Sequence, residues 1–300
     1  MVTLLARDAE WFIRPFLEHH FALGAAHVLV IDNGSTDDTV KICSGYDRVT
    51  VLQNLLPANV HESGFRSNFS QRIASGGWIM FADADEMIEL PLAGPDALAG
   101  LTDYCNERGY TAVLGQMLDR FSTAHYDELK TLSYDKARQA LNCYSLREMK
   151  KIAYHDRDAV EFAWHLRENI SENNGVNFHR GGVRQELFAE SPFLSKHTLV
   201  RNLPGVVPMV HPHCASGVRV ADVTLLIHHY KLAGDWMARD VASVRAGTWV
   251  HGEDAKRLAA IKRAGHARLV PAEPMAWRGI KALEDEGFLY VSPTFRERQR

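Results

Sequence analysis

The chain has 300 residues, of which 46% are hydrophobic, so it can bury the core of one large domain or two small ones. Its formal net charge is -3, and its Lys and Arg residues are scattered rather than grouped in a basic stripe. This composition excludes an electrostatic case for nucleic-acid binding.

The cysteines and the N-terminus indicate the compartment. Four cysteines are far apart in the sequence and form no CxxC pair, which predicts reduced thiols rather than a disulfide framework. Charged residues follow the start too early for a signal peptide, and no uncharged segment approaches the length of a membrane span. We therefore expect a cytoplasmic protein, with at most peripheral contact at the inner face of a membrane.

Short apolar runs alternate with helical patterns over the first hundred residues, which predicts βαβ units and an α/β fold with a mostly parallel sheet. In chain order, the predicted elements are a strand over 2–6, a helix over 9–23, a strand over 27–31, a strand over 49–52 and a helix over 63–75. A further strand ends at the acidic run 83–86. Later in the chain the pattern predicts a strand over 111–118 and helices over 236–246 and 254–264.

The acidic run after the fourth strand is the strongest chemical signal. Asp83 and Asp85 are two residues apart, so in extended geometry they share a face, and Glu86 follows directly. Close like charges are unfavourable unless a cation or protons compensate them. Magnesium is usually held by one or two carboxylates together with substrate phosphates, so the motif predicts a metal site for a phosphorylated ligand, most simply a nucleotide.

A second acidic loop, residues 32–38, follows the second strand. Both loops fall at the carboxyl ends of predicted parallel strands, which is where open α/β sheets bind their ligands. By itself an Asp-Asn-Gly-Ser turn is common before the start of a helix and does not indicate a function. Together the two loops predict one binding site.

The ordered segments 5–11, 30–39 and 78–86 closely resemble the glycosyltransferase family 2-like proteins of GT-A fold. The resemblance is dense over residues 1–90. It continues more loosely through 181–188, 195–197 and 228–231, a tail that resembles members acting on polysaccharide and surface-glycan acceptors.

This resemblance implies a GT-A type, Rossmann-like three-layer sandwich with a C-terminal helical appendage. It also implies a metal-dependent, inverting transferase that moves a sugar from a nucleotide-diphosphate donor, with a UDP-sugar favoured, to a hydroxyl acceptor such as a polysaccharide or surface-glycan precursor. The implied cofactor is Mn²⁺ or Mg²⁺. We divide the chain into a GT-A domain over 1–235, with a nucleotide-binding half (1–95) and an acceptor half (96–235), and a C-terminal helical region over 236–300.

Matched position by position, the resemblance places the nucleotide and its diphosphate against one set of residues. These are Ala6, Arg7, Glu10, Asp32, Asn33, Asp83, Ala84 and Asp85. Lys196 joins them because its charge suits a diphosphate or an acceptor. Asn33 stands where many relatives carry a second Asp, and Ala6-Arg7-Asp8 stands where relatives often show Arg-Asn-Glu, so base selectivity is left open.

Two further roles need residues from the second half. A late His often completes the metal site in GT-A enzymes, and His211, His213 and His228 are the candidates beside Asp83 and Asp85. An inverting transferase also needs a general base. We name Asp119, which follows the strand over 111–118, and Glu186, which lies in a Gly-Gly segment where a backbone can approach a ligand.

Two other functions stay open. A metal-dependent nucleotidyltransferase or phosphohydrolase also needs clustered carboxylates and a bound phosphate. A relative that binds nucleotide or glycan without turnover would keep the same fold.

Overall fold

The computed structural model describes residues 1–94, 96–247, 252–264 and 269–298. The strands are β1 (Val2–Ala6), β2 (Val28–Asp32), β3 (Val49–Gln53), β4 (Trp78–Phe81), β5 (Glu86–Glu89), β6 (Ala112–Asp119), β7 (Cys143–Tyr144), β8 (Met149–Ala153), β9 (Asn177–Gly181), β10 (Ser195–Arg201), β11 (Val207–His211), β12 (Cys214–Ser216), β13 (Val220–His229) and β14 (Met275–Ala276). The helices are α1 (Glu10–Ala22), α2 (Thr39–Cys43), α3 (Ala58–Ile73), α4 (Ala97–Arg108), α5 (Tyr126–Leu129), α6 (Tyr134–Ala140), α7 (Val183–Phe188), α8 (Trp236–Ala246), α9 (Glu253–Ala264), α10 (Ile280–Asp285) and α11 (Pro293–Glu297), with a 3₁₀ turn at Ala163–Leu166.

Within the described residues, eight strands form one sheet in the order β3-β2-β1-β4-β10-β6-β13-β5. Strands β3, β2, β1 and β4 are parallel to one another, and β13 is parallel to β6. Strand β10 runs antiparallel between β4 and β6, and β5 runs antiparallel at the far edge. The prediction of an α/β fold with a mostly parallel central sheet is confirmed.

Apolar side chains bury both faces of this sheet, as a doubly covered parallel sheet requires. Strands β2, β6 and β13 are buried along their whole length. Helices α1 and α4 pack on one face, with Phe16 and Leu101 fully buried there. A second cluster on the other face contains Phe178. The result is a three-layer arrangement.

Local patterns placed most of the predicted elements within one or two residues, with two corrections. Helix α3 begins at Ala58, five residues before the predicted start, because Pro57 stands at its N-cap. The extended geometry predicted for Asp83 and Asp85 is wrong. Strand β4 ends at Phe81, and residues 83–86 form a turn, closed by a hydrogen bond from Glu86 N to Asp83 O (3.0 Å), that leads the chain into β5.

The C-terminal helices are joined to the sheet domain by buried charges. Arg257 on α9 donates to Asp240 on α8 through both Nε (2.7 Å) and Nη2 (2.8 Å), and to Glu190 after α7 (2.9 Å). Residues 248–251, 265–268 and 299–300 of the predicted helical region lie outside the described residues. Across the described helices, none has both the length and the apolar character needed to cross a membrane.

Buried histidines make stability depend on pH. Burial lowers the pKa of His20, His179 and His197 to about 3, so in folded protein they stay neutral where unfolded chains are already protonated. Below pH 6.5 the unfolded state therefore binds more protons, and the free energy of unfolding falls as pH falls, by up to about 1.4 kcal/mol per histidine per pH unit. Glu190, whose pKa burial raises to about 7, acts in the opposite direction.

We accordingly expect the free energy of unfolding to drop by about 1–3 kcal/mol between pH 6.5 and pH 5.5 in urea titrations. His20→Gln should reduce the slope by the equivalent of one proton. A profile that is flat over this interval, or one that His20→Gln leaves unchanged, would contradict the assignment.

Candidate active site

The loop after β2 is held by the Asp32 side chain. The Asp32 carboxylate is buried and accepts from the backbone N–H groups of Gly34 (3.2 Å) and Ser35 (3.1 Å). Gly34 has a φ of +83°, in the left-handed region that glycine tolerates best. Asn33 points away from this turn and donates through Nδ2 to carbonyls of the chain after β3. The side chain of Asp32 is thus occupied in shaping the loop.

Hydrogen bonds join the loops after β1 (residues 7–9) and β2 (residues 33–38) into one continuous surface, which we call the shelf. The connecting bonds run from Asn33 N to Ala6 O (2.8 Å), from Thr36 N to Asp8 Oδ1 (2.7 Å) and from Asp38 N to Glu10 Oε2 (2.9 Å). Arg7 is exposed on this shelf, with Nε 3.8 Å from the Asp8 carboxylate. Four of the residues matched to the nucleotide pocket therefore lie on neighbouring segments of backbone: Ala6, Arg7, Asp32 and Asn33. The Glu10 carboxylate, which accepts from Asp38 N, links the same two loops.

Asp83 is held between two buried cations. Arg66 on α3 donates to Asp83 Oδ1 (2.7 Å) and to the carbonyl of Ala82 (3.0 Å). Lys196 on β10 bonds the buried carboxylate of Glu86 (2.5 and 2.7 Å) and lies 3.5 Å from Asp83 Oδ2. Even so, 44% of the Asp83 side chain is exposed. Its carboxylate is fixed in position while part of it faces solvent.

Asp85 belongs to a second chain of charges. His229, at the end of β13, donates from Nδ1 to Asp119 Oδ1 (2.5 Å), and its Nε2 lies 3.5 Å from Asp85 Oδ2. Arg184 on α7 donates from Nε to the other oxygen of Asp119 (3.0 Å). The order Arg184–Asp119–His229–Asp85 connects α7, β6 and β13 to the turn after β4.

These contacts set the charge states. Burial by itself raises the pKa of Asp83, but the charges of Lys196 and Arg66 outweigh it and hold the pKa well below the usual value. The same balance, with His229 as the main cation, holds down the pKa of Asp85. Burial lowers the pKa of His229, yet Asp85 and Asp119 together raise it to about 9. At neutral pH the turn presents ionised carboxylates beside an imidazolium.

The three histidines predicted as metal ligands have other hydrogen-bond or stacking partners, although His213 lies near enough to Asp83 to interact with its charge. His228 Nε2 bonds Glu89 (2.6 Å), His213 Nδ1 donates to the carbonyl of Ser195 (2.9 Å), and His211 stacks on Phe162. In the described part of the chain, neither His213 nor His228 forms an ion pair with Asp83 or Asp85. It is His229 that stands next to Asp85, one position along from the predicted His228.

The two predicted bases also have partners. Asp119 is buried between Arg184 and His229; burial opposes ionisation, but the guanidinium and the imidazole hold its pKa at about 2. Glu186 accepts from the Ala272 amide (2.6 Å) and lies 3.8 Å from Arg147. No hydrogen bond or ion pair among the described residues joins Glu186 to Asp83 or Asp85.

Sequence reasoning missed Arg66 and His229. Arg66 gave a weak signal, since it stands four residues after Glu62, its partner on α3 (3.0 Å), in a helix that otherwise has little amphipathic pattern. His229 was visible as half of a His-His pair. Only the register of β13, which pairs it with Glu86 on β5 and Asp119 on β6, turns its ring toward Asp85 rather than that of His228.

The sequence profile of Glycosyl transferase family 2 matches residues 12–225, which is more than half of the chain and includes both acidic loops. The chain belongs to glycosyl transferase family 2. A search of curated proteins gives no match for this family 2 chain.

Solved structures similar to the family 2 chain include S. aureus TarS (20% identity, TM-score 0.32), covering 39% of this chain and 35% of that one. Glucosyl-3-phosphoglycerate synthase from Mycobacterium tuberculosis, a complex with Mn²⁺, UDP and phosphoglyceric acid, is 25% identical with a TM-score of 0.27, over 40% and 42%. HddC from Yersinia pseudotuberculosis is 9% identical with a TM-score of 0.33, over 67% and 76%. The first two alignments thus span less than half of the solved chains, and TM-scores this low say nothing about the reaction.

The donor set at the turn suits a hard divalent cation. Asp83 and Asp85 are ionised, and each side chain retains exposed surface, 44% and 17% respectively. No group of three or more His, Cys, Asp or Glu side chains is arranged as a complete metal cage among the described residues. Two carboxylates are enough, however, where substrate phosphates supply the remaining oxygens. The residues present therefore fit a cation that binds together with a diphosphate.

Proposed function

We propose that this protein is a metal-dependent glycosyltransferase that moves a sugar from a nucleotide-diphosphate donor, with a UDP-sugar favoured, to a hydroxyl acceptor. The observation that carries the proposal is that the loops after β1 and β2 and the Asp83–Asp85 turn after β4 all follow the carboxyl ends of adjacent parallel strands, in a chain of family 2. Inversion at the sugar and a polysaccharide or surface-glycan acceptor remain part of the proposal. They rest on the family resemblance.

In this proposal the shelf holds the nucleoside. Asp32 keeps the loop after β2 in its turn, and the exposed Arg7 lies on the neighbouring loop, where its charge attracts a phosphorylated ligand. Asn33 donates to the chain after β3 rather than to its own turn, so it sets the shape of the pocket wall.

Asp83 and Asp85 would hold the metal, Mn²⁺ or Mg²⁺. When bound, such a cation neutralises charge that develops on a leaving diphosphate. The chain's own residues fix the carboxylates: Arg66 and Lys196 orient Asp83, and His229 orients Asp85. Lys196 is already bonded to Glu86, so we assign it to positioning Asp83 rather than to gripping the diphosphate directly.

Asp119 fits a positioning role better than that of the general base. A carboxylate whose pKa is about 2, and which already accepts from Arg184 and His229, has little capacity to take a proton. Its bond to His229 Nδ1 fixes the imidazole, so that Nε2 faces Asp85. Glu186 remains a candidate base only if an acceptor displaces its bond to the Ala272 amide.

The test is calorimetric titration of UDP, GDP and CMP into the purified protein, with Mn²⁺, with Mg²⁺ and with EDTA. We expect one nucleoside diphosphate, UDP first, to bind only when metal is present. Absence of binding under every condition would overturn the proposal. Release of inorganic phosphate without an acceptor, or condensation of a nucleotide with a sugar phosphate, would instead assign a phosphohydrolase or a nucleotidyltransferase.

A further inference from the structure

A cavity of about 750 Å³ lies along the edge strand β5. Its walls come from α1, the chain after β5, α6 and the segment before α10, and include His19, Glu89, Arg120, Arg138, Tyr230 and Trp277. This volume falls within the range of roughly 300–1,000 Å³ that small-molecule sites occupy. Neither the nucleotide shelf nor the Asp83–Asp85 turn lines it.

Arg120 is the unusual residue of this cavity, because it is buried to 96% without a carboxylate partner. Its Nε donates to the carbonyl of Leu141 (3.2 Å), its Nη1 lies 3.4 Å from His228 Nδ1, and its guanidinium stacks on Trp277 at 4.6 Å. No Asp or Glu of the described chain lies within ion-pair distance of it. A buried charge without a counter-ion is unfavourable, so this guanidinium is ready to accept an anion.

Glu89, the carboxylate among the residues that line the cavity, is already engaged. Glu89 accepts from His228 Nε2 (2.6 Å), which leaves His228 Nδ1 as the acceptor for Arg120 and fixes the imidazole as neutral. Burial likewise lowers the pKa of His228. A neutral ring therefore stands between Glu89 and Arg120, and the positive charge of Arg120 is only partly offset.

A second cation strengthens the positive field. Arg138, on the exposed face of α6, also lines the cavity, and in the described residues it forms no hydrogen bond or ion pair. Two guanidinium groups thus face one carboxylate that His228 already holds. Guanidinium groups recognise phosphate and carboxylate through paired N–H donors, so the cavity selects an anionic group.

A backbone hydrogen bond joins the cavity wall to the candidate active site. Arg120 directly follows Asp119, and Tyr230 directly follows His229. The Tyr230 amide donates to the carbonyl of Asp85 (2.8 Å). Tyr230 therefore connects the cavity wall to the turn that carries Asp85, and the aromatic rings of Tyr230 and Trp277 form apolar walls for a sugar face.

We propose that this cavity binds the anionic group, phosphate or carboxylate, of an acidic sugar acceptor. The acceptor role rests on the proposed glycosyltransferase function. Arg120 and Arg138 hold the charge, and the rest of the acceptor extends along Tyr230 toward Asp85. The acceptor class is thereby narrowed from any hydroxyl compound to a phosphorylated or carboxylated sugar.

The experiment titrates hexose 6-phosphate, hexuronate, neutral hexose and inorganic phosphate into the full chain by calorimetry. We expect the two acidic sugars to bind and neutral hexose not to. Arg138→Gln, an exposed change that leaves the core intact, should weaken acidic-sugar binding about tenfold. Arg120→Lys keeps the charge but loses the planar fork, and should also weaken it. The matched control is Arg245→Gln, an exposed arginine on α8 outside the cavity, which should have no effect.

The same samples are titrated with UDP and Mn²⁺. Nucleotide binding without acidic-sugar binding overturns this inference and leaves the proposed function standing. Acidic-sugar binding without nucleotide binding overturns the proposed function, and the acceptor role with it. The acceptor role is also overturned if Arg138→Gln and Arg245→Gln weaken acidic-sugar binding equally. It is overturned likewise if inorganic phosphate binds as tightly as the acidic sugars and no sugar is transferred to either of them.

Discussion

Asp85→Asn is expected to lower the rate of sugar transfer by about a hundredfold or more, and to lower the free energy of unfolding as well, because the charge of His229 stabilises the ionised Asp85 carboxylate in the folded protein. The substitution keeps the shape of the side chain but removes the charge that would hold the cation against the diphosphate. His229 retains its short bond to Asp119, so no buried cation is left without a partner. The rate is measured with saturating donor and metal, and unfolding with urea.

Asp83→Asn should also abolish metal-dependent donor binding, but it removes a partner from both Arg66 and Lys196 and is the less selective change. Asp103→Asn, an exposed acid on α4, is the matched control and should leave both activity and stability unchanged. Metal-dependent transfer that persists in both the Asp83 and the Asp85 variants would end the metal assignment.

Lys196→Met is expected to lower the free energy of unfolding by about 3–5 kcal/mol. The ammonium group is the only cation bonded to Glu86 among the described residues, and the Glu86 side chain is fully buried. Without the Lys196 ammonium group, the buried charge of Glu86 is stabilised only by the hydrogen bond from the Asp83 amide (2.8 Å). Urea unfolding at pH 7 gives the loss directly.

The double variant Lys196→Met with Glu86→Gln is the control for this second prediction. Removing the stranded charge should recover a large part of the lost stability, because the penalty belongs to the unpaired carboxylate rather than to the missing lysine. A double variant no more stable than Lys196→Met alone would show that the lysine stabilises the fold in some other way.

The first half of the fold was predictable because its information is local. Apolar runs at β1, β2 and β4, each followed by a polar turn, specify strand, loop and helix without reference to distant residues. The acidic loops at 32–38 and 83–86 were found for the same reason. The parallel order of these strands then followed from the βαβ alternation.

The rest depended on pairings between distant segments. Lys196 contacts Glu86 only because β10 inserts between β4 and β6. The sequence around either residue does not indicate that insertion. The choice between His228 and His229 depends on strand parity, and a shift of one residue exchanges the two faces. Arg66 is a buried cation on a helix without a clear apolar stripe, so its partners become visible only when α3 packs beside the turn after β4.

The ion pairs of Arg257 bear on how the protein can be divided for expression. The family match stops at residue 225, inside β13 and four residues before His229. A fragment cut there would lose the ring that faces Asp85. A fragment cut after residue 235 would keep His229 but leave Glu190 without Arg257, its buried hydrogen-bonded cation partner from α9. The smallest self-sufficient piece of this chain therefore extends at least through α9, well past the boundary that family alignment alone would suggest.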